Sequence, residues 1–119
     1  SAAIKQAARQ CSIPIVALSQ LNRHPGDGAK HPPNMSRLRD SGAIEQDADQ
    51  VMLIHRPDYY DRSVRPGEVD LIIEKNRHGP TGTVVLTWSE RTASFGERPL
   101  PGIDDEPYEP ETDHQEAMF

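Results

Sequence analysis

The chain holds a single cysteine, Cys11, among 119 residues, so no intrachain disulfide can form. A lone thiol fits a reducing compartment. Aromatic residues make up 5% of the sequence and hydrophobic residues 34%, both low for a domain that must bury its own core. No apolar run approaches the roughly 20 residues of a membrane helix, and nothing at the start reads as a signal peptide. There is no G-x-x-x-x-G-K-S/T phosphate loop and no buried-strand aspartate of the Walker B kind ahead of Gln20. These residues by themselves therefore do not make an ATPase. The histidines, His24, His31, His55, His78 and His114, lie far apart and share no ligand spacing with Cys11, which disfavours a zinc site. Ser12 and Ser19 sit in no nucleophile elbow.

Charge is unevenly placed. The net charge is -6, but residues 102–119 carry many acids and neither Lys nor Arg. Without that stretch the chain is close to neutral, with its bases in a few clusters. A surface that is basic all over, as for indiscriminate nucleic-acid binding, is disfavoured. Several of the 11 prolines fall near the end. Residues 1–98 thus read as the part that folds, and 99–119 as an acidic, proline-rich disordered tail. The chain opens on Ser1 inside a helical pattern, which reads as a processed or cut product.

Ala2 to Gln10 is rich in good helix formers, with Ile4, Ala7, Ala8 and Cys11 as an apolar stripe. Pro14 ends that pattern. Ile13 to Leu21 reads as a strand buried on both faces, typical of a parallel sheet. Residues 22–34 read as an exposed loop, and 43–48 as a brief helix. Gln50 to Arg56 reads as another buried strand, followed by a polar loop to Gly67 that holds Tyr59 and Tyr60. Glu68–Lys75 and Thr83–Ser89 flank the turn Gly79-Pro-Thr-Gly82, which predicts an antiparallel hairpin. After Phe95 the pattern stops. A helix feeding a buried strand through a tight turn is α/β grammar.

Three polar stretches could carry chemistry. Ser19-Gln20-Leu-Asn22-Arg23 follows a predicted strand, where ligands of open α/β sheets bind. Gln20 could read a phosphate oxygen, or simply satisfy backbone groups at the strand end. Arg39, with Ser41 and Gly42, could hold a nucleic-acid phosphate, or belong to an ordinary capped surface helix. Lys75 and Arg77 lie two apart, so both point to one side of a strand. They could clamp a nucleotide phosphate, or blunt a hairpin end.

Taken together, Val16-Ala-Leu-Ser-Gln-Leu-Asn-Arg23, Leu38-Arg-Asp-Ser-Gly-Ala-Ile-Glu-Gln-Asp-Ala-Asp49 and Ile73-Glu-Lys-Asn-Arg-His-Gly-Pro-Thr-Gly82 resemble consecutive signatures of DnaB-type replicative DNA helicases, in order and spacing. The resemblance covers about Ile4 to Phe95, and its central string is the most specific. It implies an α/β fold that is part of a RecA-like ATPase core, with parallel strands plus a C-terminal antiparallel hairpin, and without the phosphate-loop portion. It implies a homo-hexameric ring that moves 5′-to-3′ on single-stranded DNA and unwinds duplex at the replication fork. ATP with Mg2+ would sit between subunits, the Mg2+ ligands lying outside this segment.

Carried over by position, Gln20 resembles the γ-phosphate sensor. Arg39, Asp40, Ser41 and Gly42 resemble the loop on the single strand, although the family usually has Glu where this chain has Asp40. Lys75 and Arg77 resemble the pair donated to the neighbour's ATP, with Arg56 or Tyr59 near the adenine. Primase and a helicase loader would be partners of the full-length protein, in a bacterial or phage replisome in the cytoplasm, with no membrane. The alternative is a truncated RecA-like module that binds DNA or a partner without catalysis.

Overall fold

The computed structural model describes residues 1–38 and 41–99. Arg39, Asp40 and the expected acidic tail from 100 onward lie outside the described residues. Helix α1 spans Ala2–Cys11. It stops where Ser12 adopts the left-handed conformation, φ 52° and ψ 42°. Two orphan carbonyls are satisfied there: Ser12 N donates to Arg9 O at 3.3 Å and Ile13 N to Ala8 O at 3.2 Å. Pro14, which has no N–H, then prevents continuation. The predicted stripe is present, but α1 buries none of it fully.

The next segment departs from the sequence expectation. Residues 13–20 form no strand, and Val16 and Leu18 are 83% and 98% exposed. A parallel strand must exchange hydrogen bonds with neighbours along its edges. Among the described residues no strand pairs with this segment. The first bridge comes at Leu21, which pairs with Leu38, followed by Asn22, whose N donates to Arg37 O at 3.0 Å. The apolar composition was read correctly, but composition does not supply a neighbour.

The sheet comes later in the chain. Strands β1 (Gln50–His55), β2 (Glu68–Asn76), β3 (Gly82–Ser89) and β4 (Ser94–Glu97) lie in sequence order, every neighbouring pair antiparallel. The predicted β2–β3 hairpin is present, with Ile73 opposite Gly82. The expected parallel strands are not found among the described residues. Strand β4 was not anticipated, being short and without alternation. It folds back after Ala93, at φ 49°, and is held by Trp88 against Phe95, with ring centroids 5.0 Å apart.

Strand β1 buries one face only: Val51, Leu53 and His55 are covered, while Met52 and Ile54 are 50% and 52% exposed. Leu38, Val51 and Leu53 form the buried cluster, and Leu21, Met35, Ile44, Ala48 and Ile72 pack against it. Ile44 belongs to helix α2, Ser41–Asp47. A short helix α3, Pro57–Tyr60, starts on a proline, whose missing N–H costs nothing at that position. The loop after it is closed by Arg65, which donates to both carboxylate oxygens of buried Asp70 at 2.9 and 2.7 Å and to Glu68 at 2.7 Å.

The β1–β2 register contains one irregularity. Val51 faces Lys75 and Met52 faces Ile73, leaving Glu74 as an extra residue on β2. This is a β-bulge, which shifts every later β2 side chain to the opposite face.

Leu53→Ala should destabilise the fold by about 2–4 kcal/mol, because it removes buried methyl groups and leaves a cavity. Leu18→Ala should change stability by less than about 0.5 kcal/mol. Urea unfolding at constant slope would separate the two.

Candidate functional site

The chain gathers its polar motifs around the small core. Gln20 is exposed and immediately precedes the Leu21–Leu38 bridge. That bridge holds the end of the first motif beside the start of the second. Ser41 is half-buried and Gly42 exposed, both in the first turn of α2. A Cβ built on Gly42 would meet nothing within 4 Å, so the backbone there is open to close approach.

Lys75 and Arg77 do lie on one side, as their spacing requires. Lys75 Nζ donates to Glu45 O, and Arg77 Nη2 donates to Gln46 O at 3.3 Å. Both are carbonyls in the last turn of α2. Arg77 Nη1 also donates to Asp49 Oδ1 at 2.8 Å, and the Arg77 N–H to Asp49 O at 2.9 Å. Asn76 turns to other partners: its Oδ1 accepts from Gln50 Nε2 at 3.1 Å and its Nδ2 donates to Pro80 O at 3.2 Å. The third motif is therefore docked on the second.

Arg56 occupies a separate place. Its guanidinium lies 4.9 Å from the centre of the Trp88 ring, a cation–π arrangement. It donates to Asp58 Oδ1 at 3.1 Å and lies 3.6 Å from Glu90. Beside it, an open cavity of about 260 Å³ is lined by Arg23, His31, Arg37, His55 and Tyr59 among others. Tyr60 stacks on His55 at 6.0 Å, and His55 Nε2 lies 3.2 Å from Ala29 O. The structure thus brings Arg23, Arg56 and Tyr59 into one cleft. Gln20, Lys75 and Arg77 do not line it. Among the described residues no group of three or more His, Cys, Asp or Glu is gathered to hold a metal. No helix there is long and apolar enough to cross a membrane.

Two participants escaped the sequence reading. Asp49 pairs with Arg77 only because β1 and β2 are antiparallel neighbours, and the long loop between them hides that pairing. Trp88 lies under Arg56 from two strands away, a contact that alternation within β3 could not reveal.

Comparison with known proteins decides the family. Residues 1–97 match the model of the DnaB-like helicase C terminal domain. The chain belongs to that family. It is 51% identical over 93 residues to the replicative DNA helicase DnaB of Mycobacterium leprae, covering 77% of this chain and 15% of the relative. Two solved structures superpose with a TM-score of 0.71 and 38% identity over 79% of the chain. One is an isolated ATPase domain, of which the chain covers 34%. The other is a DnaB-like replicative helicase described with its interactions with primase, of which it covers 23%. The chain spans between 15% and 24% of the length of the curated relatives it matches. The four-stranded sheet with its helices is accordingly part of the RecA-like architecture of a DnaB-like replication helicase, without its phosphate-loop region.

The cleft makes a pH prediction for this DnaB-like domain. Burial raises the Asp58 carboxyl, but the Gly67 N–H at 3.0 Å and Arg56 outweigh it and hold it below the ordinary 3.8. A depressed folded value stabilises the fold above the unfolded value and loses that contribution as pH falls through the folded one. Asp58→Asn should therefore be less stable than the parent at pH 7. The gap should close between about pH 5 and pH 3, as read by thermal unfolding across that range.

Proposed function

We propose that this chain is the responding part of the motor of an ATP-driven, homo-hexameric replicative helicase that moves 5′-to-3′ on single-stranded DNA. Residues 1–98 form the motor piece and 99–119 an acidic tail. The observation that carries this reading is the docking of Lys75 and Arg77 on the last turn of α2, whose first turn holds Ser41 and Gly42. Residues suited to a nucleotide's phosphates and residues suited to a DNA strand share one short rigid element.

The donor types fit the nucleotide. Arg77 offers a planar fork and Lys75 a compact charge, the two usual partners of phosphate oxygens. Arg56, already over an aromatic ring, suits the base side of the same ligand. ATP, when bound between subunits, supplies the phosphoanhydride whose cleavage drives movement. Lys75 and Arg77 then act in trans, stabilising charge on the neighbour's phosphates, so that hydrolysis depends on ring geometry.

Gln20 senses the γ-phosphate and passes its state through the Leu21–Leu38 bridge to Arg39, Asp40, Ser41 and Gly42 on the strand. Mg2+ is held by residues outside this chain. Primase and a loader engage other parts of the full-length protein, within a bacterial or phage replisome.

In the full-length ring, Arg77→Ala should lower ATP turnover by about a thousandfold or more while nucleotide affinity changes little. Rings mixed with a subunit defective in its own phosphate loop should regain turnover only where a wild-type Arg77 faces an intact neighbour. Recovery independent of subunit order would refute action in trans. Arg39→Ala should weaken single-strand binding and reduce the salt slope by about one; an unchanged slope would remove Arg39 from the DNA channel.

A further inference from the structure

Arg77 lies just past the end of β2, on a turn of exposed residues. A side chain there would ordinarily sample many rotamers, and a finger that must reach a phosphate would lose rate to that freedom. Here the backbone settles where Arg77 starts and a carboxylate settles where it points. The Glu74 bulge places Arg77, not Asn76, opposite Asp49, and the Arg77 N–H to Asp49 O bond at 2.9 Å extends the ladder to that pair. Asp49 Oδ1 accepts from Nη1 at 2.8 Å, and Gln46 O accepts from Nη2 at 3.3 Å. Each nitrogen keeps a second hydrogen, so the fork can be held from behind and still donate forward.

We infer that Asp49 is a positioning residue for Arg77, fixing the guanidinium plane from just past the C-terminal end of α2. The inference rests on the reading of Arg77 as the finger. The pair is half exposed, at 40% and 49% of side-chain surface, so it contributes little to stability. Its effect is orientation. Lys5 engages the same carboxylate oxygen from α1. Lys5 foremost, opposed by slight burial and aided by Arg77 and His78, holds Asp49 below its ordinary value, which keeps the carboxylate charged. Because Gln46 and Asp49 lie at one end of α2 and Ser41 at the other, a shift of α2 on the DNA side moves the support of the finger.

The test uses the full-length ring and two binding probes besides turnover: ADP with aluminium fluoride as a transition-state mimic, and a non-hydrolysable ATP analogue. Asp49→Asn should weaken binding of the mimic, and lower kcat, by about tenfold, the scale of one charge-assisted hydrogen bond. Affinity for the ATP analogue and KM should stay within about twofold. Asp49→Glu should recover most of the loss. Lys5→Ala cuts the same cluster but leaves Arg77 its partner, so it should behave as the parent.

Equal losses in Lys5→Ala and Asp49→Asn, or failure of both Asp49 variants to assemble into rings, would assign Asp49 to structure and overturn the inference. Parent-like Asp49→Asn beside a defective Arg77→Ala would sink the role of Asp49 alone. A parent-like Arg77→Ala would remove the finger, and the inference with it.

Discussion

Leu38 is bridged to Leu21 through its backbone and packed against Val51 and Leu53 through its side chain, at 7% exposure. Nearly everything of functional interest is tied to the chain through that contact. Gln20 precedes Leu21, and the DNA-facing stretch follows Leu38. Ile44 and Ala48 bring α2 onto the same cluster, and Ile72 brings β2, three residues before Lys75. A core of a few side chains thus serves as a common anchor for segments distant in sequence. Such a core cannot deform continuously, because close-packed side chains shift between discrete arrangements. Movement of one anchored segment is therefore felt by the others.

The sheet and the cleft show the complementary arrangement, in which polar contacts replace a large core. Arg65 clamps Asp70 and Glu68 across the loop after α3. Arg56 joins β1 to β3 by resting on Trp88, and Asp58 secures the Gly67 turn. Few buried apolar side chains are needed when loops are pinned by charge-assisted bonds to neighbouring strands. The exposed apolar residues of 13–18 and the open face of β1 belong to the same picture: surfaces that a larger α/β domain covers on both sides.

Much of this was legible in the sequence, for reasons that differ by element. The end of α1 and the β2–β3 hairpin were readable because local chemistry decides them: Pro14 in one case, the glycines and proline of the turn in the other. The family motifs were readable because whole strings of residues had to agree in order and spacing. The pairing of residues 13–20 was not readable. Apolar composition gives the propensity to be a strand, whereas strand formation depends on a partner that lies elsewhere. The single-sided burial of β1 and the presence of β4 were missed for a related reason, since coverage of a face and a short returning edge are tertiary outcomes. Asp49 looked like one more charge on a polar helix, and only the register of β1 with β2 gives it a partner.

The bulge at Glu74 makes residue parity carry meaning. Downstream of it, odd-numbered Lys75 and Arg77 face α2. In a regular ladder that face would instead receive Glu74 and Asn76, an acid and an amide. One residue of length therefore decides whether the hairpin presents cations or an anion to the same spot, without any change in composition. Substitutions along β2 can be absorbed one side chain at a time, but a change in its length would invert the sign of the charge it offers. For this strand, the spacing between Ile72 and Arg77 is as much a functional property as the identity of either residue.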